Sequence, residues 1–224
     1  MKFMRNHWYD IGLIPMFAAV LLLVMLWSKL EVLQRLALMN FAVIFWHQFE
    51  EYRLPGGEAA ITNLVSQPSG DGPADRYPLN QNNAMVMNVT AAYIVYLFPV
   101  LFPDVLWVGF MPVVFGISQL IIHAVITPRK IGNRIYSPGC GAVLFGHVPV
   151  GIYWFCYTIS HGLLGISDVI FGLLYLFVFI AVFMLRIGYG VLKSPNSAYP
   201  FPEAEFERGG YAGRIRKIKS QNRL

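Results

Sequence analysis

Residues 166–187 read ISDVIFGLLYLFVFIAVFMLRI, an apolar run whose only charged residues are Asp168 and Arg186. About 20 such residues are enough for a helix to cross the hydrocarbon core of a bilayer. The whole 224-residue chain shares this character, since 56% of its residues are hydrophobic and only 13% are charged. Soluble domains carry roughly 25% charged residues, and disordered chains are poor in aromatic residues. The sequence therefore predicts an integral membrane protein.

The apolar segments of the chain predict an all-α bundle of six transmembrane helices. The spans are expected at 11–28, 33–51, 84–102, 105–127, 141–159 and 166–187. The second is the weakest, because Arg35 lies within its start and two glutamates end it. Five spans with a tilted interfacial second helix is the alternative. The first resembles a signal peptide, but its apolar run is about 17 residues long and no cleavage site follows, so we interpret it as a retained helix.

The distribution of Lys and Arg predicts the orientation. With the N-terminus inside, 15 of the 17 Lys and Arg residues are cytoplasmic, and only Lys29 and Arg35 lie outside. Six spans then place both termini in the cytoplasm. The short loops and the basic tail suit a bacterial inner membrane, and other membranes stay open as alternatives. Segment 52–83 is expected to be an irregular cytoplasmic loop and 188–224 a basic cytoplasmic tail near anionic lipid headgroups. No nucleic-acid partner is expected, and the sequence leaves the oligomeric state open.

The second segment ends in His47-Gln48-Phe49-Glu50-Glu51. At about 100° per helical residue, Glu50 lies roughly 60° to one side of His47 and Glu51 roughly 40° to the other. An imidazole flanked by two carboxylates suits metal ligation, or a base tuned by an acid. Two acids at a helix C-terminus also oppose its dipole, so we expect a cation such as Arg53, a proton or a metal ion to compensate them.

The predicted topology brings polar groups from four helices to one depth near the cytoplasmic face. Ionisable residues within a membrane are costly and are candidates for function. The candidate metal ligands are His47, Glu50, Glu51, His123 and His147, with Glu50 and Glu51 also as catalytic candidates. Further polar candidates of the site are Asn88, Gln119 and Tyr136. In the alternative interpretation, His123 bonds to Gln119 within the bundle and His147 satisfies a carbonyl freed by Pro149.

The sequence lacks the motifs of several well-known enzyme classes. It has no His-Glu-x-x-His motif, no Gly-x-Ser-x-Gly elbow and no P-loop lysine. Five histidines are too few for the histidine boxes of membrane desaturases. Cys140 and Cys156 would lie roughly 24 Å apart on one helix, too far for a disulfide.

The motif His47-x-x-Glu50-Glu51, followed by Tyr52 and Pro55-Gly56-Gly57, resembles the HXXEE family of small polytopic membrane proteins. Further matches are His123, Tyr136-x-Pro138-Gly139 and Pro149-x-Gly151-Ile152-Tyr153, which together cover roughly residues 40–155. The resemblance implies a membrane protein with a suspected enzymatic site, and it supplies no activity. The polar insert Glu58–Asn83 departs from the pattern and leaves open whether a lid covers the site.

These observations favour a metal-dependent membrane enzyme, a hydrolase or oxidoreductase, that acts on a lipid or other amphiphile at the cytoplasmic leaflet. His47 and His123 with Glu50 or Glu51 would bind Zn, Fe or Mn, and the other glutamate would be the general base. If both glutamates bridge two metal ions, a site with two ions is the alternative to a site with one. An ion- or proton-coupled transporter would need a polar path to the outer face, where few ionisable residues lie. A non-catalytic assembly protein is the third hypothesis.

Overall fold

The structure, a computed structural model, describes residues 1–66 and 72–221. The regular structure of these residues is entirely helical, which confirms the all-α prediction for this part of the chain. The helices are α1 (Lys2–Leu26), α2 (Val32–Tyr52), α3 (Glu58–Ile61, continued by a π-helical turn at Thr62–Ser66), α4 (Gln81–Leu101), α5 (Leu106–Lys130), α6 (Cys140–Ser160), α7 (Ile166–Val191), α8 (Glu203–Phe206) and α9 (Tyr211–Gln221).

Five of these helices, α1, α4, α5, α6 and α7, are long and apolar enough to cross a membrane. The prediction of six spans is not confirmed, because α2 is not among them. Helix α2 forms where it was expected, but buried polar side chains such as Asn40 and Gln48 lower its apolar character. Protein rather than lipid surrounds them, which is where polar groups at membrane depth are tolerated. The orientation of the termini stays a prediction.

Helix α2 lies at the centre of the bundle. Its Phe41 and Phe45 pack in one core cluster with Tyr96 of α4, Met111 of α5 and Phe179 of α7. The outer face of α7 behaves differently, since residues such as Leu174 and Phe177 are exposed there. An apolar face without protein cover is what contact with lipid tails requires.

The end of the bundle that carries the motif, here called the site end, is covered by two further segments. Part of the expected irregular loop 52–83 is helical, because it contains α3. The C-terminal segment folds back onto it, and Tyr211 and Ile215 of α9 pack against Ile61 and Ile131. Lys and Arg residues of α9 remain exposed, so contact of this segment with lipid headgroups stays a prediction.

Candidate metal centre

Three buried side chains converge where α2 and α5 meet. His47 and Glu51 lie one helical turn apart on α2, and His47 Nε2 is 3.3 Å from Glu51 Oε1. His123 of α5 places its Nε2 3.4 Å from the same oxygen. All three ligand atoms lie within 4.8 Å of one another. Two ligand atoms, each about 2.1 Å from a tetrahedral ion, are roughly 3.4 Å apart, which both histidine–glutamate distances match, so the group could hold a metal ion.

Hydrogen bonds fix the orientation of both imidazoles. His47 Nδ1 lies 3.2 Å from the carbonyl oxygen of Gly139, which can only accept, so this nitrogen carries the proton. Ser137 Oγ donates to the His123 carbonyl at 3.0 Å and therefore accepts from His123 Nδ1 at 3.2 Å. In neutral imidazoles, both Nε2 lone pairs then face the Glu51 carboxylate. The two nitrogen atoms and the carboxylate oxygen are all acceptors, so they repel one another unless a cation or an extra proton lies between them.

The turn Ser137-Pro138-Gly139 supplies both of these supporting acceptors. Gly139 has φ of +93°, and a Cβ there would lie 2.7 Å from Cε1 of His47 and 2.8 Å from Cε1 of His123. Only glycine combines this backbone conformation with so close an approach. The turn and the two histidines are thus fitted to one another, and such supporting groups commonly set the affinity of a metal site.

His147 lies one layer deeper, on a π-helical segment of α6. Its Nδ1 donates to Asn40 Oδ1 at 2.6 Å, and its ring centroid is 5.8 Å from that of His47. Within the described residues, the buried His147 Nε2 has no hydrogen-bond partner, nor has the hydroxyl of nearby Tyr96. His147 lies outside the group of three, so its role as a ligand stays a prediction.

Glu50 faces α6 instead of the histidines. Its two oxygens accept from the backbone amides of Gly141 at 3.0 Å and Ala142 at 2.8 Å, and Oε1 also accepts from the Tyr136 hydroxyl at 2.8 Å. These amides belong to the first turn of α6, whose N–H groups have no partner within the helix. The carboxylate therefore caps α6. Its assignment as a ligand or a base stays a prediction that this geometry does not support.

A cavity of about 330 Å³ adjoins the three residues. The expected site residues Asn88 and Gln119 line it, whereas Tyr136 lies at Glu50. Asn88 Nδ2 donates to the Ala84 carbonyl at 2.9 Å, which holds the side chain in place on α4. The polar lining residues are His47, Glu51, Tyr52, Glu58, Thr62, Ser66, Asn88, Gln119, His123, Thr127 and Tyr189. The remaining walls are apolar and come largely from α5 and α7.

Glu58, which the sequence analysis missed, is the second carboxyl group on the cavity. It begins α3 and accepts a hydrogen bond from the Thr62 hydroxyl. Burial and the negative charge of Glu51 raise the pKa of Glu58 to about 8, although the Thr62 hydrogen bond opposes this. Both effects favour the protonated form of Glu58. The only signal in the sequence was its position after Pro55-Gly56-Gly57, a turn that returns the chain toward the end of α2.

Residues 38–154 match a family model described as a protein of unknown function with HXXEE motif. The chain belongs to the HXXEE family. The match covers half of the chain and contains His47, Glu51, His123 and the supporting turn, which confirms the resemblance inferred from the residues. In the HXXEE motif of this chain, the histidine and the second glutamate face the centre while the first glutamate caps α6. No curated protein and no solved structure matches the chain.

The Ser137 hydroxyl should contribute measurably to metal affinity. We expect Ser137→Ala to weaken metal binding about 10- to 100-fold, because His123 loses the acceptor that orients its ring. Isothermal titration of the metal-free protein in detergent would measure the change. Ser118→Ala is the control, since that exposed hydroxyl on α5 donates to the Phe115 carbonyl of its own helix. Equal affinities of Ser137→Ala and wild type would show that the hydroxyl does not support the centre.

Proposed function

We propose that this HXXEE protein is a metal-dependent membrane enzyme that acts on a lipid or another amphiphile at the cytoplasmic leaflet. The observation that carries the proposal is the convergence of three acceptor atoms, from His47, Glu51 and His123, at the spacing of ligands around one ion. Both imidazoles are held with Nε2 toward the carboxylate. A buried set of this kind, with a carboxylate and no Lys or Arg among the described residues that line the cavity, gains most from a divalent cation.

Two histidines and one glutamate suit Zn, Fe or Mn, and they leave coordination positions open. A metal ion in such a site supplies Lewis acidity, which polarises a substrate oxygen or lowers the pKa of water. The protein's own part is to exclude bulk water and to hold protons. Glu58 lines the same cavity and its pKa is raised by burial and by the charge of Glu51, so we assign it the role of proton donor.

The membrane setting supports an amphiphilic substrate. The cavity combines a polar floor at the metal ligands with apolar walls from α5 and α7. A polar, water-soluble substrate would make few favourable contacts with apolar walls, whereas the alkyl tail of an amphiphile matches them. The short connections and basic C-terminal segment fit a bacterial inner membrane, which we propose as the location.

Metal analysis of the purified protein tests the proposal directly. We expect about one Zn, Fe or Mn ion per wild-type chain, and less than a tenth of that in His47→Ala, His123→Ala and Glu51→Gln, because each variant removes one of three ligands. Elemental mass spectrometry after removal of loosely bound ions would give the ratio. His161→Ala is the matched control, since His161 is exposed at the far end of α6.

Two outcomes would contradict the proposal. Wild-type protein that binds no metal after reconstitution would make the cluster a site where His47 or His123 shares a proton with Glu51. Equal metal loss in His161→Ala would indicate non-specific binding. If metal binds as expected, hydrolysis of membrane lipids by wild type and by Glu51→Gln becomes the next comparison.

A further inference from the structure

The cavity next to the candidate metal ligands is open between α5 and α7. The first part of α7, Ile166–Val178, packs closely along Leu106–Ile121 of α5. No comparable packing joins the continuing segments Ile122–Ile126 and Phe179–Val191. The two helices therefore diverge toward the site end, and the cavity occupies the wedge between them.

The side chains at the edge of this wedge are apolar and lie at the protein surface. Ile122, Ile180 and Leu185 all line the cavity, and their exposed fractions are 40%, 37% and 53%. Residues that border a cavity and are also exposed mark an opening, so these three mark an apolar opening between α5 and α7, and the exposed Ser66 at the end of α3 marks a second, polar one. Val178 and Val182, on the same face of α7 as Leu185, are exposed as well, and the exposed Arg186 follows Leu185, so the apolar opening faces the bilayer near its surface.

The floor of the cavity favours an uncharged group. Within the described residues, no Lys or Arg side chain lines the cavity. Its two acidic side chains are Glu51 and Glu58. Phosphate sites in proteins use Arg, Lys or helix N-termini. Amides and hydroxyls from Asn88, Gln119 and Thr62 provide neutral donors and acceptors instead. With the protein's own side chains alone, a buried anionic head would have no cationic partner, which is costly.

We propose that an amphiphile with an uncharged polar head, such as an alcohol, ester or amide of a long alkyl chain, enters head first from the bilayer between Ile122–Ile126 of α5 and Phe179–Val191 of α7. A reaction of this amphiphile depends on the proposed enzyme function, whereas its binding does not. The cavity volume of about 330 Å³ is at the lower limit for a drug-sized ligand. It accommodates a head group and the first part of a chain, and the remaining tail stays among the lipids.

Photo-crosslinking tests the route and the head-group preference together. The probes are hexadecanol and hexadecyl phosphate, each with a diazirine close to the head, applied to the protein in lipid nanodiscs. We expect hexadecanol to label cavity-lining residues of α5 and α7, and hexadecyl phosphate to label them at least fivefold less. Leu185→Trp, which adds bulk at the apolar opening, should lower hexadecanol labelling at least fivefold. Leu174→Trp adds the same bulk on the lipid-facing side of α7, away from the apolar opening, and should leave labelling unchanged.

Three results would overturn the inference: labelling spread evenly over lipid-facing residues, no effect of Leu185→Trp, or equal labelling by the phosphate probe. His47→Ala separates this inference from the proposed enzyme function. Loss of metal with hexadecanol labelling retained in this variant would show that the route exists independently of the metal. Specific labelling of a wild-type protein that binds no metal would leave the route intact and contradict only the enzyme proposal.

Discussion

Gly139→Ala is expected to abolish metal binding, with an affinity at least 100-fold below that of the wild type. The added methyl group would lie 2.7 Å from Cε1 of His47 and 2.8 Å from Cε1 of His123, so both rings must move. Metal–ligand distances in protein sites stay within about 0.2 Å of their usual values, so a shift of both rings disrupts the ligand geometry. The φ of +93° adds strain of roughly 1–2 kcal/mol for alanine. Metal titration and thermal unfolding of the metal-free protein would measure the two effects separately.

Gly162→Ala is a matched control for the backbone strain. Gly162 also has a left-handed conformation, with φ of +64°, but a Cβ there meets no atom within 4 Å. This variant should lose about as much stability from strain as Gly139→Ala and keep its metal affinity. If both variants lost metal equally, backbone strain and general destabilisation would explain the result, and the fit of Gly139 between the two rings would have no part in it.

Composition and hydrophobic run lengths were enough to predict the class of fold. The five helices that the structure shows as candidate spans each contain a long apolar run with few charges. The environment of helix α2 was harder to predict, because a helix with polar residues is stable at membrane depth only where other helices surround it. Asn40, Gln48 and Glu50 would disqualify a lipid-facing helix, and they are acceptable here because other helices enclose them. Hydropathy along a sequence does not record which residues a helix will be packed against.

The site was predictable to the extent that it depends on helical spacing and depth. His47 and Glu51 are four residues apart, so their pairing follows from one turn of helix. His123 followed from the expected depth of its helix, and the structure confirms that it meets them. Spacing alone could not separate the two adjacent glutamates, because each lies within about 60° of the histidine. The position of Glu58 depended on a turn and on packing from the C-terminal segment, which have no periodic signature.

Glu50→Ala is expected to destabilise the protein by about 3–4 kcal/mol, or roughly 10 °C in Tm. The substitution removes the acceptor for the amides of Gly141 and Ala142 and for the Tyr136 hydroxyl. A buried donor left without its partner costs about 1–3 kcal/mol, and a helix cap contributes about 1 kcal/mol. Thermal unfolding in detergent with a chelator present would measure the loss without any contribution from bound metal.

The adjacent residue provides the control that separates capping from metal binding. Glu51→Gln should change the stability of the metal-free protein by less than about 1 kcal/mol, because its amide can donate to the Nε2 atoms of His47 and His123 that face it. The same variant should lose its metal. Glu50→Ala should show the reverse balance, with a large loss of stability and metal affinity retained by the molecules that remain folded. Metal loss in folded Glu50→Ala would instead place Glu50 in the centre and contradict its assignment as a cap of α6.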